Sequence, residues 1–133
     1  MERTRYEALT EPQAQAGIDA LSPYITEGRK ERMEGALTTR TRDVALVLED
    51  IYDEHNAGAC LRSCEAFGVL ETHVIARECR FRVSRKVTSG AHKWLDICRH
   101  SDPRSAFQLL EERGYQVWVA DVRDAVPLSE VPQ

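Results

Sequence analysis

The sequence lacks the features that would place it in a membrane, on a secretory route or around a metal ion. No apolar run approaches the length of a membrane span, and the first residues, Met-Glu-Arg-Thr-Arg, contain no apolar signal core. The cysteines Cys60, Cys64, Cys79 and Cys98 match no common zinc spacing, so we expect neither a metal site nor a disulfide. Cys60 and Cys64 share a helical face with Phe67 and are expected to pack against a sheet. The expected compartment is the cytoplasm.

Aromatic residues are also scarce, at 7% of the chain, and they do not alternate with basic residues. This disfavours a platform on which single-stranded bases would stack. The chain also has no glycine-rich nucleotide-binding loop. What it does have is 133 residues with 42% hydrophobic and 30% charged content, which is typical of one soluble globular domain with a moderate core.

Charge is segregated along the chain although the formal net charge is only −4. One basic segment contains Arg29, Lys30, Arg32, Arg40 and Arg42. The second contains Arg77, Arg80, Arg82, Arg85, Lys86, Lys93 and Arg99. Two basic segments on an acidic protein indicate a local footprint for a polyanion, although any single cation could equally lie on a solvated face.

Hydrophobic periodicity predicts alternating strands and helices. We expect strands at 44–49, 72–76, 95–98 and 115–120, and helices at 14–21, 27–39, 56–67 and 102–114. In the basic helix 27–39, Met33, Ala36 and Leu37 would form the apolar stripe. This order predicts an α/β fold with a parallel sheet and Rossmann-like βαβ crossovers, covered by helices on both faces.

In such a fold, ligands bind at the carboxyl ends of the strands. The segments 49–55, 85–94 and 121–126 all follow strands or enter that edge, and we expect them to converge on one cleft. We divide the chain into a helical, basic extension at 1–42 and an α/β domain at 43–133.

The stretch 43–70 contains the clearest candidate site, a strand that leads through an acidic turn into a helix. We expect Asn56 to cap this helix. Arg62 should slope back over Gly58 and Ala59, whose small size would let its guanidinium reach the helix start. Free N–H groups and the helix dipole favour an anion there, and Arg matches phosphate oxygens bidentately. The alternative is that Asn56 only caps the helix and Arg62 pairs with a surface acid.

Two motifs in this order resemble a known family. They are Leu-Glu-Asp-Ile-Tyr-Asp-Glu-His-Asn-Ala-Gly-Ala-Cys-Leu-Arg-Ser-Cys-Glu-Ala-Phe-Gly-Val and, further on, Ser-Gly-Ala-His-Lys-Trp. Together with the basic helix that precedes them, they make 27–126 similar to the first part of the SpoU/TrmH (SPOUT) family of RNA ribose 2′-O-methyltransferases. The tRNA guanosine branch of the family is the most similar.

The resemblance implies an enzyme that transfers a methyl group from S-adenosylmethionine to a ribose 2′-hydroxyl, with a guanosine of the tRNA D-loop as its target. Asn56 and Arg62 take the positions of the motif's Asn and catalytic Arg. Because Arg stays protonated, it would bind the substrate phosphate and position the ribose while the phosphate accepts the proton.

The resemblance also assigns residues that contact RNA. Glu49 would line the same pocket, and His92 and Lys93 would contact RNA. The alternative is that His92 only bonds to its own loop and Trp94 fills the core. Phosphates of the tRNA backbone would be held by Arg29, Lys30, Arg32, Arg40 and Arg42. The implied partner is tRNA, with neither DNA nor a membrane, and a homodimer is expected of the full-length protein.

The family's cofactor pocket and trefoil knot are formed by two later motifs that do not occur in this sequence. We therefore expect 43–133 to be an incomplete methyltransferase domain, the N-terminal part of the SPOUT fold without the C-terminal knot, which alone binds S-adenosylmethionine poorly. Three interpretations stay open. The chain is part of an active tRNA or ribosomal RNA methyltransferase, a non-catalytic RNA-binding module, or an unrelated phosphate-binding domain.

Overall fold

The structure is a computed structural model that describes residues 9–123 and 125–131. It begins with helix α1, Glu11–Leu21, in which the Thr10 N–H donates to Gln13 Oε1 over 2.9 Å. Helix α1 is followed by a short 3-10 turn, Ser22–Tyr24, which contains Pro23, and then by helix α2, Glu27–Thr38.

Neither of these two helices buries a described residue. The predicted basic helix is confirmed, and Met33, Ala36 and Leu37, the residues predicted to form its apolar stripe, are not buried. Leu37 is 59% exposed, because no element of the described chain covers that face of α2.

The described residues form a three-stranded sheet with the order β1-β2-β3. The strands are β1, Thr41–Glu49; β2, Val69–Ile75; and β3, Asp96–His100. Both pairings are parallel, and Val47, His73 and Cys98 are neighbours across the sheet. The predicted α/β fold with a parallel sheet is confirmed, with β1 and β2 each beginning three residues earlier than expected.

Helix α3, Glu54–Ala66, covers one face of the sheet. Its buried Ala57, Leu61 and Cys64 belong to the same apolar cluster as Leu48 and Val74. The connection from β2 to β3 lies against α3 and contains helix α4, Arg85–Thr88, and a 3-10 turn, Ala91–Trp94. This face holds the main apolar core.

Helix α5, Pro103–Glu112, packs against β2 and β3 and buries Ala106 and Leu110. Its start was predicted from the sequence, and Asp102 accepts a hydrogen bond from the Ser105 N–H over 2.9 Å. Helices therefore lie on both faces of the sheet, as the parallel strands require.

The predicted fourth strand at 115–120 is wrong, because this segment lies outside the sheet. The Tyr115 hydroxyl donates to the Arg42 carbonyl, but Val117, Trp118 and Val119 are all exposed. Nothing in the described chain covers their side chains, and a strand pattern without burial on either face does not secure pairing. Within the described residues, β1 is an edge strand that pairs only with β2.

The packing predicted for two of the cysteines holds in part. Cys64 is buried as expected, and Cys60 packs partly against the same cluster. The prediction that Phe67 packs with them is wrong, since Phe67 follows the last helical residue and is 83% exposed. No helix in the described part of the chain is long and apolar enough to cross a membrane.

Candidate functional site

Helix α3 begins at the carboxyl end of β1, and Asp53 is its N-cap. The Asp53 carboxylate accepts the His55 N–H over 2.7 Å, and this bond holds the pKa of the Asp53 carboxyl below its usual value. The prediction that Asn56 caps the helix is therefore wrong, because Asp53 has the extended backbone a cap needs and reaches the free N–H groups first. Asn56 is the third helical residue, and its exposed side chain forms no hydrogen bond with a described residue.

Arg62 lies further along α3 and is exposed. Within residues 9–123 and 125–131 its guanidinium forms no ion pair, which disfavours the alternative that it pairs with a surface acid. The prediction that Gly58 leaves open space for it is wrong. A Cβ on Gly58 would lie 3.0 Å from Val87 Cγ1, so Gly58 lets α4 pack on α3. Ala59 is exposed, and the guanidinium remains available on that side.

The loop that carries His92 is tied to the start of α3. The Ser84 N–H donates to the Glu54 carbonyl over 3.3 Å, and the Ser84 carbonyl accepts from the buried Thr88 hydroxyl over 3.2 Å. Because that hydroxyl has one proton, the His92 Nδ1–H donates to Thr88 Oγ1 over 3.2 Å. His92 is thus half-buried with its Nε2 lone pair free to accept a proton or hydrogen bond.

Lys93 and Trp94 follow His92 on the same turn, and both are exposed. Trp94 therefore does not fill the core as the alternative interpretation required. His92 does bond to its own loop, but only through one ring nitrogen. The segments 49–55 and 85–94 lie together at the start of α3, as predicted.

The third predicted segment of the cleft, 121–126, is exposed at each of its described residues, with Asp124 outside the described residues. The Asp121 carboxylate bonds locally to the N–H groups of Val122 and Arg123. No hydrogen bond of the described chain joins this segment to the other two.

Glu49 and Asp50 lie where β1 ends. The exposed Glu49 pairs with Arg77 over 3.5 Å. Asp50 has a φ of 43°, which is unusual outside glycine, and its Oδ1 accepts the N–H groups of Arg77 and Glu78 at 2.9 Å each. Donation from Glu78, and then from Arg77 and Cys79, holds the pKa of the Asp50 carboxyl below its usual value. Sequence reasoning missed this clamp between β1 and the loop after β2.

The basic residues predicted to hold tRNA fall into two groups. On α2, Arg29 has no ion pair to a described residue, Lys30 pairs with Glu27 over 3.0 Å, and Arg32 Nε donates to the Gly28 carbonyl. These side chains lie on a helix that faces solvent.

Arg40 and Arg42 instead form ion pairs with other residues of the described chain. Arg40, whose side chain is 7% exposed, donates to the carboxylate and the carbonyl of Glu65 at 2.9 Å each. Arg42 bridges Glu71 at 2.8 Å and Asp96 at 2.9 Å. Their charges are already neutralised, so the structure argues against their predicted role as contacts to RNA.

A second cluster lies on the other face of the sheet, under α5. The Glu71 carboxylate is bound by Arg113 and Arg42, and it accepts from His73 Nε2 over 2.9 Å. His73 Nδ1 lies 2.8 Å from His100 Nε2. Burial lowers the pKa of both imidazoles, and His73 lowers that of His100 further. Their charged neighbours are Glu71, Asp96, Asp102 and Arg113.

This second cluster is the place in the described chain where metal-ligand atoms come together. One donor atom each from Glu71, His73 and Cys98 lies within 4.8 Å of the others. Both nitrogens of His73 are already hydrogen-bonded, however, and Glu71 is paired with two arginines. The arrangement therefore fits a satisfied polar network better than a metal centre. The alternation Glu71-Thr72-His73 on a strand was the signal that could have located it.

Comparison with known proteins shows that the region containing Asn56 and Arg62 is similar to one protein family. A sequence profile of the SpoU rRNA Methylase family matches residues 43–133. The tRNA (guanosine(18)-2′-O)-methyltransferase of Thermus thermophilus is 37% identical over 107 residues, covering 80% of this chain and 55% of that protein. The 23S rRNA (guanosine-2′-O-)-methyltransferase RlmB of Pseudomonas putida is 31% identical over 122 residues, covering 89% of this chain and 48% of that protein.

A solved structure agrees with the fold. The crystal structure of the A. aeolicus TrmH/SpoU tRNA modifying enzyme aligns with a TM-score of 0.68 at 28% identity, covering 79% of this chain and 54% of that one. The chain spans about half the length of the curated relatives it matches.

Proposed function

The chain belongs to the SpoU rRNA methylase family, and we propose that its protein is a tRNA ribose 2′-O-methyltransferase. The proposed reaction transfers a methyl group from S-adenosylmethionine to the 2′-hydroxyl of a guanosine in the D-loop. Relatives from Thermus and Borreliella, both named tRNA (guanosine(18)-2′-O)-methyltransferase, support this choice of substrate. Such an enzyme would work in the cytoplasm, as a homodimer in its full-length form.

The observation that carries the proposal is the pair Asn56 and Arg62 on α3. Both side chains are exposed on the helix that begins at the carboxyl end of β1, and neither is bonded to a described side chain. An exposed guanidinium without an ion pair is suited to hold a phosphate bidentately. Polar groups without an internal partner are what a substrate site requires.

A guanidinium is a poor proton acceptor, so Arg62 is not the group that removes the proton of the ribose hydroxyl. In the proposed mechanism it holds the substrate phosphate, and that phosphate accepts the proton as the oxygen is methylated. Asn56 would position the ribose. His92 would accept a hydrogen bond from RNA at Nε2, because its Nδ1–H is committed to Thr88.

The surrounding charges would position the tRNA. Lys93 lies next to His92, and Glu49 lies at the same edge of the sheet. Arg29, Lys30 and Arg32 on α2 would contact backbone phosphates, which orients RNA without reading its sequence. Arg40 and Arg42 are assigned instead to holding β1 in place through their ion pairs.

S-adenosylmethionine would supply the methyl group, but the described glycines form no cradle for it. A Cβ on Gly58 would contact Val87, and one on Gly68 would lie 2.5 Å from the Thr39 carbonyl. Both glycines serve internal packing. We therefore derive no step through the cofactor and limit the mechanism to the RNA side of the site.

A second candidate is a ribosomal RNA 2′-O-methyltransferase of the same family. It is favoured by the similarity to the Pseudomonas relative, which extends over 89% of this chain. A non-catalytic RNA-binding module is the third, as the sequence left open.

The test uses the full-length protein and its Arg62→Lys variant, with Arg104→Lys on the exposed part of α5 as the matched control. Methyl transfer from labelled S-adenosylmethionine is measured on a tRNA transcript and on a 23S rRNA fragment, and the product is mapped to the nucleotide. We expect transfer to tRNA, a fall of about a hundredfold or more in kcat/KM for Arg62→Lys, and no change for Arg104→Lys.

Each contrary outcome selects another interpretation. Methylation of the ribosomal fragment alone would favour the second candidate. Binding of tRNA without any methyl transfer would favour the third. Wild-type rates in Arg62→Lys would remove Arg62 from the mechanism.

A further inference from the structure

We propose that Arg80, Arg82 and Arg99 form a second phosphate-binding patch, which holds the tRNA backbone beside the start of α3. This inference rests on the proposed function and adds to it a binding surface on the loop between β2 and α4. We call these three residues the arginine patch.

The patch is organised around Phe81. Phe81 is buried in the apolar cluster that includes Val74 and Ile97, whereas its neighbours Arg80 and Arg82 are exposed. The buried ring fixes the loop to the core, and the two arginines on either side of it are directed to solvent. Their Cα atoms lie within about 7 Å of each other, because consecutive Cα atoms are about 3.8 Å apart.

Arg99 completes the patch from a different element. It is the exposed residue before His100 on β3, and its guanidinium carbon lies 5.2 Å from the centre of the Phe81 ring. This cation–π contact orients the guanidinium over the ring and leaves its N–H donors free for a ligand. The Arg99 guanidinium therefore lies over the ring of the buried residue that separates Arg80 from Arg82 in the sequence.

The three charges are not neutralised within the described protein. Arg80, Arg82 and Arg99 form no ion pair with any residue of 9–123 or 125–131, whereas Arg40, Arg42, Arg77 and Arg113 all do. Like charges held close together repel each other, and an RNA phosphodiester with bidentate oxygens relieves that repulsion. Unlike the paired arginines, these three are therefore available to a ligand.

The patch is also pre-organised. The Asp50 carboxylate accepts the N–H groups of Arg77, Glu78 and Cys79 at 2.9, 2.9 and 3.4 Å, which fixes the turn that leads into Arg80. The Ser84 N–H then ties the other end of the loop to the Glu54 carbonyl. A loop fixed at both ends loses little conformational freedom on binding.

Because the loop is anchored in this way, the arginine patch lies beside the candidate site. The loop leaves the carboxyl end of β2 and reaches the first residue of α3, two residues before Asn56. A tRNA backbone that crosses the arginine patch would thus continue toward Asn56 and Arg62. The patch is suited to phosphates that flank the modified nucleotide.

The test measures tRNA affinity of the full-length protein as a function of salt, for Arg80→Gln/Arg82→Gln, for Arg99→Gln and for the control Arg104→Gln. Arg104 is exposed on α5 and, like the patch residues, has no ion pair to a described residue. We expect about tenfold weaker binding for the double variant. Its slope of log K against log salt should fall by about 0.7–0.9 for each arginine removed.

Methyl transfer separates this inference from the proposed function. In the double variant KM for tRNA should rise while kcat stays near wild type, and Arg80→Lys/Arg82→Lys should restore most of the affinity. If the wild-type protein methylates tRNA but the double variant binds like Arg104→Gln with the same salt slope, the arginine patch is overturned and the proposed function stands. A wild-type protein that neither binds nor methylates tRNA overturns both.

Discussion

The two faces of the sheet are built by opposite means. Under α3, the strands bury apolar side chains, with Leu48 and Val74 packed against Leu61. Under α5, the same strands bury Glu71 and His73, which are among the largest fully buried side chains of the described chain. One face is held by apolar packing, whereas the other adds a buried network of hydrogen bonds and charges to the apolar contacts of Ala106 and Leu110.

The polar face depends on a fixed direction of its hydrogen bonds. Glu71 is held as a carboxylate by Arg42 and Arg113, so His73 must donate its Nε2–H to it. His73 Nδ1 is then an acceptor, and His100 donates its Nε2–H to that nitrogen. Every member has a partner, which is the condition under which a buried polar network is tolerated.

The difference between the two faces indicates which of them presents the functional site. The apolar face is covered by α3, on which the side chains of Asn56 and Arg62 have no partner among the described residues. The polar face leaves its charged groups satisfied by each other and connects β2, β3 and the end of α5. We infer that the first face presents the site and that the second fixes the strands that support it.

The largest effect is expected from a substitution that disrupts the apolar face. Leu61→Ala removes a fully buried side chain at the centre of the cluster and should lower the free energy of unfolding by about 2–5 kcal/mol. Urea unfolding measures it, with the exposed Leu37→Ala on α2 as a control that should stay within about 0.5 kcal/mol of wild type. Equal effects of the two substitutions would contradict the assignment of the core to the α3 face.

A smaller effect is expected from the polar face. Glu71→Gln keeps the shape of the side chain but removes the charge that pairs with Arg42 and Arg113. It should cost about 1–3 kcal/mol, because hydrogen bonds to a charged group are lost while Arg42 and Arg113 are partly exposed and keep some hydration.

The control for this change is Glu111→Gln, at an exposed position of α5. It should be nearly neutral. If Glu71→Gln is equally neutral, the arginine pairs contribute no net stability and the network only determines which strands pair, as has been argued for other buried ion pairs.

The two faces also differ in how well the sequence predicts them. The α3 face follows from local periodicity, which places Leu48 on a strand and Leu61 on a helix. The polar face was missed because a strand was predicted to begin at 72, one residue after Glu71, and the partners of Glu71 come from distant parts of the chain. Pairing of that kind is tertiary and leaves no periodic signal.

The sequence also predicted part of the candidate site. Asn56 and Arg62 do lie on the helix after β1. That helix begins at Glu54, two residues earlier than expected, because the Asp53 carboxylate is the better-placed cap. The arginine patch could be predicted only as a basic segment, since the arrangement of Arg99 over Phe81 joins residues far apart in sequence. A predicted fourth strand failed because periodicity does not tell whether a partner strand is present.

The smallest effect that distinguishes the two faces is a dependence of stability on pH. Burial lowers the pKa of His73 and His100 below the ordinary value of about 6.5, so the unfolded state binds protons at a higher pH than the folded state does. The resulting stability is complete above about pH 6.5 and is lost as pH falls toward the folded-state pKa values, at up to about 1.4 kcal/mol per pH unit for each histidine. Carboxylates such as Asp50, whose pKa is lowered in the fold, act only at more acidic pH, so the window between about pH 5.5 and 7.5 isolates the histidines.

Urea unfolding across that window should therefore show falling stability with falling pH, and His100→Asn should reduce the slope, whereas Leu61→Ala should lower stability equally at every pH. An unchanged slope in His100→Asn, together with an NMR titration that places the His73 pKa at or above about 6.5, would mean that the polar face is hydrated and that the two faces are less different than their contacts indicate.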